Sequence, residues 1–375
     1  MILHPDLRIR QFAVQYFKDS QYKDPDLMPL VLEACNLAID EKQNRLMLAY
    51  AAEFTQTRET LEEIVKRILD RGPARDCYEK MLVNSEIQLL KQFPNRIADL
   101  LPPFQKAVRL RLELADWCTD KLWQELFELS KRAEGKYCNE FDYNYGVYVV
   151  KELAVRSDLP VEEIVERLDQ FYPEDYEGYA DIYLCILAGD LRLQKAIPAL
   201  TNYLRSEGDL IVEEAVKAMI KIGTEEVVTG IRKTFLKEEW DFRLFSTDIL
   251  SGIKLPVCEA AVIELMSQEE DLSIRTRLAD SLCQLLSVKG IPFVEEMIDG
   301  GYDRSLLSSE ESLYVNCTIN GVDLPELETW RAQLDAEEEE RRKTVESFNH
   351  LFLNNRMISA ENFSTNRQRA ENRKK

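Results

Sequence analysis

Histidine is almost missing from this chain: two occur in 375 residues, His4 and His350. A Ser-His-Asp or Cys-His nucleophile system needs such a residue at its centre, and neither lies in a recognisable motif. Glycine and proline are also scarce, 13 of each, too few turn formers for a many-stranded β fold. No GxxxxGK[ST] or GxGxxG occurs, so no phosphate-cradling loop is encoded. Cys118 and Cys138, the closest of the eight cysteines, stand 20 positions apart, which excludes CxxC and zinc-ligand spacings. Most of the eight have apolar neighbours, as in LCIL and SLCQLL, and read as small buried hydrophobes of a reduced compartment. No apolar run approaches the roughly 18 residues of a membrane span. The opening MILHPDLRIRQF lacks the basic-then-apolar order of a signal peptide. A cytoplasmic protein with no membrane partner is expected.

Basic residues are outnumbered, 48 against 68 acidic, for a formal charge of −20. Such a surface repels phosphate backbones and anionic lipid, and suits either a basic protein partner or plain solubility. What the chain does have is charge (31%) and apolar residues (45%) in helical proportion. Its length suggests two domains or one elongated repeat array.

Self-similarity points to the array. Leu204-RSEG-Asp209-LIV, Leu236-KEEW-Asp241-FRL and Met266-SQEE-Asp271-LSI share one pattern: an apolar helix end, four mostly polar residues, then Asp before two aliphatic or aromatic positions. A further copy of the second half opens the chain, where Asp6-LRIRQFA parallels Asp271-LSIRTRLA. Each Asp is expected to cap a helix, and the apolar residues that follow fall at helical spacing. A two-helix unit cannot cover its own apolar faces, so it stacks on neighbours. LEEIVKRIL at 61–69 recurs as VEEIVERLD at 161–169, an offset of about three hairpins. Thr60 and Glu63 have capping-box spacing. Breaks are expected near Pro25, Gly72-Pro73, Pro94, Pro102-Pro103, Gly135 and Pro173.

Residues 188–223, AGDLRLQKAIPALTNYLRSEGDLIVEEAVKAMIKIG, resemble a HEAT repeat of the phycobilisome-lyase-like type. There a Gly-Asp turn leads into a first helix with Pro-Ala-Leu, and a loop aspartate opens the second. The usual basic residue after the aliphatic position stands at Arg10 and Arg275, and is replaced at Glu213 and Phe245. The resemblance covers 188–290 and the first 17 residues. It implies an all-α fold, a right-handed α-α superhelix (HEAT-like α-solenoid) of stacked helical hairpins.

The expected organisation is a solenoid over 1–324, an amphipathic capping helix over 325–353, and a disordered basic tail over 354–375. In the capping helix Leu327, Trp330 and Leu334 share one side, and Glu337 to Glu339 precede Arg341 to Lys343 at the favourable spacing. The tail carries six basic and two acidic residues and reads as solvated.

No catalytic residue is nominated, and no cofactor or metal ligand. Gly300-Gly301 reads as a turn, and the nearby Asp299 and Asp303 lack a calcium-loop pattern. Acidic pairs such as Glu62-Glu63 and Glu162-Glu163 are explained by caps and turns. One region stands apart: between Tyr137 and Tyr183 aromatics alternate with carboxylates. Tyrosine offers a rigid face and a hydroxyl, which suits protein contacts. The partner-binding candidates are Tyr143, Tyr145, Asp175, Tyr176, Glu177 and Tyr179, with Asp175 and Glu177 steering a basic surface or peptide. The competing reading has these aromatics packing helix on helix. The expected function is a protein-binding scaffold or adaptor. The alternatives are a bilin-lyase-like or other modification-associated enzyme or chaperone, as the resemblance implies, and last a nucleic-acid-binding solenoid, which the charge opposes.

Overall fold

The computed structural model describes residues 1–38, 41–170 and 178–344. The chain divides into two compact units, Met1–Gly321 and Val322–Lys375. Regular structure among the described residues is helical throughout, so the chain is all-α. No described helix is long and apolar enough to cross a membrane.

The first unit opens with α1 (Leu7–Asp19), α2 (Leu27–Cys35), the short α3 (Arg45–Tyr50), α4 (Arg58–Asp70) and α5 (Arg75–Asn84). Then come α6 (Ile87–Leu90), α7 (Pro102–Ala115), α8 (Thr119–Ala133), α9 (Tyr143–Leu153) and α10 (Val161–Asp169). The more regular part comprises α11 (Tyr179–Asp190), α12 (Ile197–Tyr203), α13 (Asp209–Ile222), α14 (Glu225–Thr234) and α15 (Trp240–Gly252). It closes with α16 (Pro256–Met266), α17 (Leu272–Gln284), α18 (Ile291–Gly300) and α19 (Ser309–Asn320).

Two layers result. Odd-numbered helices pack in succession, α1 on α3, α3 on α5, and onward to α17 on α19. Of the even-numbered helices, α10 packs on α12 and α14 on α16, while α8 packs on α9 and α11. Amphipathic hairpins require this, because the apolar stripe of each is covered only by the next. Side-chain bonds follow the same beat: Arg205 pairs with Glu238, Arg243 with Glu269, and Ser273 with Asp303, each about one hairpin away. α11 is buried continuously from Ile182 to Gly189, as its uninterrupted apolar sequence demands.

The odd-numbered succession returns to its start. α1 packs against α19 as well as α3, and the Tyr314 hydroxyl donates to Asp6 Oδ2 at 2.9 Å. Within the first unit, the helix that begins the array is therefore a direct neighbour of the one that ends it.

The caps differ in part from the pattern. Asp6 and Asp271 do cap α1 and α17, accepting from Arg8 N and Ile274 N. Asp209 instead lies inside the first turn of α13, behind Gly208, and Asp241 inside that of α15, behind Glu239. There the carboxylates complement the positive helix end without a capping bond. The capping box of α4 pairs Thr57 with Thr60, one turn earlier than Thr60 with Glu63, because the helix starts at Arg58. Gly189 sits inside α11 rather than in a turn, so close to α13 that a Cβ there would stand 2.7 Å from Ala218 Cα.

In the second unit a helix runs over 327–344. Its ion pairs are Glu338 with Arg341, Glu339 with Arg342, and Glu339 with Lys343. The expected continuation to 353 and the tail lie outside the described residues, as does Pro173.

Candidate functional site

The aromatic region gathers at the junction of α8, α9 and α11. Asp142 caps α9, accepting from Tyr145 N at 3.3 Å. Helical spacing then sends Tyr143 towards α11, where its ring stacks on Tyr183 at 5.5 Å between centroids, the planes 22° apart. Phe141 meets Tyr179 edge-on at 4.5 Å. The Tyr183 hydroxyl donates to Tyr143 O at 3.0 Å, and that of Tyr179 to Lys136 O at 2.6 Å. Gly146 makes room for the Tyr183 ring, which a Cβ would meet at 2.1 Å. Burial pushes the Tyr143 and Tyr183 phenols well above their ordinary range.

Of the six candidates, Tyr143 and Tyr179 thus belong to a ladder of rings joining α9 to α11. Tyr145 points elsewhere, towards α8, where burial and the neighbouring Glu125 push its phenol up to about 12. Asp175, Tyr176 and Glu177 lie outside the described residues. Among the described residues of the region, the most accessible aromatic is Tyr137, 78% exposed, in a loop that also exposes Glu134, Glu140 and Asp142.

Beside this loop, α7 and the start of α9 enclose a cleft of about 260 Å³. Phe104, Ala107, Leu110 and Tyr148 give it an apolar lining, and Lys106, Asp142 and Asn144 line it as well. Lys106 Nζ stands 2.7 Å from Asp142 Oδ2, with side chains 72% and 46% exposed. An ion pair so open to water contributes little, so either partner is readily exchanged.

A second cleft, about 370 Å³, lies among α2, α4 and α5, lined in part by Cys35, Asn44, Arg67 and Tyr78. Arg67 ties its walls together, donating to Glu63, the Tyr78 hydroxyl, Leu32 O and Asn36 Oδ1. Its guanidinium is spent on structure.

Charges also meet across the odd-numbered layer. Lys151 of α9 reaches Glu53 at 3.1 Å and Asn84 Oδ1 of α5 at 3.2 Å. Glu53 keeps 61% of its side-chain surface, yet Lys151 lowers its pKa against a desolvation that raises it. Lys221 pairs with Asp190 at 2.6 Å, Arg277 with Asp248, and Ser312 donates to Asp280. Lys254 donates to Ser251 O and Gln284 O and lies over the Tyr16 ring of α1, while burial pushes its pKa down to about 8. Most of these contacts join consecutive odd-numbered helices, and Lys254 over Tyr16 reaches from the turn after α15 to α1. Sequence reasoning missed them because Glu53 and Lys151 are 98 positions apart, and no local spacing announces such a pair.

Among the described residues, no group of three or more His, Cys, Asp or Glu is arranged to hold a metal ion. His4 Nδ1 accepts from Asp6 N at 3.1 Å, a packing role at the start of α1. His350 lies outside the described residues.

No protein-family profile and no curated protein matches this chain. A solved structure of an engineered protein aligns over 84% of this chain and 97% of its own, at 13% identity and a TM-score of 0.28. A similarity of that size carries no argument about fold or function.

Proposed function

We propose that this chain is a HEAT-like α-solenoid, wound as a right-handed superhelix, that serves as a protein-binding scaffold for a basic partner. The docking surface is the acidic, aromatic side around the start of α9. The observation that supports this most is the apolar cleft with Asp142 at its lining beside the exposed Tyr137 loop. A partner lysine or arginine would displace Lys106 from Asp142, and an adjacent apolar side chain would enter among Phe104, Leu110 and Tyr148. Burial of the apolar group gives affinity, and the carboxylates give rate and selectivity.

The test is binding of a labelled peptide carrying arginines beside a single leucine, compared with an acidic peptide of equal length. The charge-removing variant Asp142→Asn is informative because asparagine caps helices as well as aspartate. We expect the basic peptide alone to bind, more weakly at high salt. Asp142→Asn should lose about tenfold in affinity, equivalent to roughly 1.4 kcal/mol, with its melting temperature unchanged. Equal binding of both peptides, or an unaffected Asp142→Asn variant, would remove this surface from consideration.

A further inference from the structure

A second surface repeats with the hairpins. Near the end of the array, α15 and α17 each begin with an apolar side chain held out of the core, and an exposed leucine stands in the turn ahead of α19. Trp240 is the first residue of α15 and 39% exposed, Leu272 the first of α17 and 47% exposed, and Leu306 lies just before α19 and is 41% exposed. A lone exposed leucine means nothing. These three, however, are joined edge to edge by hydrogen bonds. Trp240 Nε1 donates to Asp271 Oδ1 at 3.3 Å, next to Leu272, and Ser273 Oγ donates to Asp303 Oδ2 at 2.6 Å. Leu306 N in turn donates to Asp303 O. Exposed carboxylates flank the stripe at Glu239, Asp241 and Glu270. The nearby arginines are engaged, Arg243 by the buried Glu269 and Arg205 by Glu238.

We propose that this stripe binds a basic peptide segment in the polyproline II conformation with an apolar residue at every third position. The spacing follows from geometry. Packed helices lie about 8–10 Å apart, so Trp240 and Leu272, which head adjacent helices, stand about one such rung apart, and Leu306 continues the line beyond Asp303. A polyproline II chain has three residues per turn and advances about 3.1 Å per residue, so every third side chain faces the same way and about three residues span one rung. The residues between apolar anchors then face Glu239, Asp241 and Glu270, where lysine or arginine is favoured and an acidic residue is repelled. The tryptophan at one end supplies the largest anchor. This deepens the scaffold reading and rests on it for the class of partner, but places the contact on α15, α17 and the turn before α19.

Two labelled peptides of identical composition decide it, one with leucines at every third position among lysines and arginines, the other with the same leucines clustered. Fluorescence anisotropy on the full chain should show the periodic peptide binding at least about tenfold more tightly. Leu272→Ser should abolish that preference, while Asp142→Asn should leave it intact. Equal affinities for the two peptides would mean that charge alone is read, and would overturn the proposal. So would a preference that survives Leu272→Ser, or no binding of either peptide. A preference lost in Asp142→Asn but kept in Leu272→Ser would assign the peptide to the cleft beside α9 and reject the stripe. Circular dichroism melting of Leu272→Ser checks that the exposed site tolerates the change.

Discussion

A residue's chemistry here is decided less by its type than by which neighbour the stacking brings to it. Arg10 shows this: it looks like a surface charge, yet it is buried and donates to His4 O and Pro5 O, pinning the loop ahead of α1. Arg111 is likewise buried, 3.7 Å from the equally buried Glu152, and donates to Ser85 O. Asp181 is the opposite case. Burial raises its pKa to about 6. A carboxyl whose folded pKa is raised contributes stability that is complete below its unfolded pKa and is lost as pH rises through the folded value. The relevant window runs from the ordinary aspartate value of 3.8 to about 6. Asp181→Asn should therefore raise the melting temperature at neutral pH, and the gain should vanish near about pH 3, below both values. Melting curves at the two pH values check this, and an equal gain at both would show that burial of charge is not the cause.

At the level of elements, the tightest joint is α11 against α13, where Gly189 lets the helix backbones approach. Gly189→Val should force them apart and cost about 1–3 kcal/mol by overpacking, measured by chemical denaturation; an unchanged midpoint would show that α13 yields freely. The hairpins themselves were legible in the sequence, because the Asp-apolar pattern repeats and the apolar spacing is helical. The helix of 161–169 follows that of 61–69 by three hairpins, α4 to α10, as their shared sequence implies. The caps were read less well. The same Asp performs as a cap in α17 and as a first-turn residue in α13, since with Gly208 at the cap that helix begins one residue earlier relative to its Asp. The tyrosine cluster was visible as a cluster, but its faces were not. Whether Tyr143 looks outward depends on Tyr183, 40 positions away, and that pairing is set by stacking rather than by local sequence. Of the exposed stripe, Trp240 and Leu272 stand next to the loop aspartates Asp241 and Asp271 of the repeat pattern, while Leu306 lies outside it.

For the molecule as a whole, the contact of α1 with α19 changes what stability means. In an open repeat array each terminal unit has a single neighbour, and fraying starts there. In the first unit here both terminal helices have two odd-numbered neighbours, with Lys254 over Tyr16 and Lys151 on Glu53 as braces. Native-state hydrogen exchange should thus find α1 and α19 protected to an extent comparable with α11 and α13. Exchange from α1 that is orders of magnitude faster than from α11 would mean that the contact is not maintained.

The same contact sets a timetable during synthesis. Asp6 and Tyr314 are separated by 308 positions, and ribosomes add about 5–20 residues per second. The face of α1 that belongs against α19 must then wait roughly 15–60 seconds for its partner to be made. Throughout that interval the nascent chain carries an uncovered helix face on α1, and a holding chaperone or a stray apolar surface has that long to find it first.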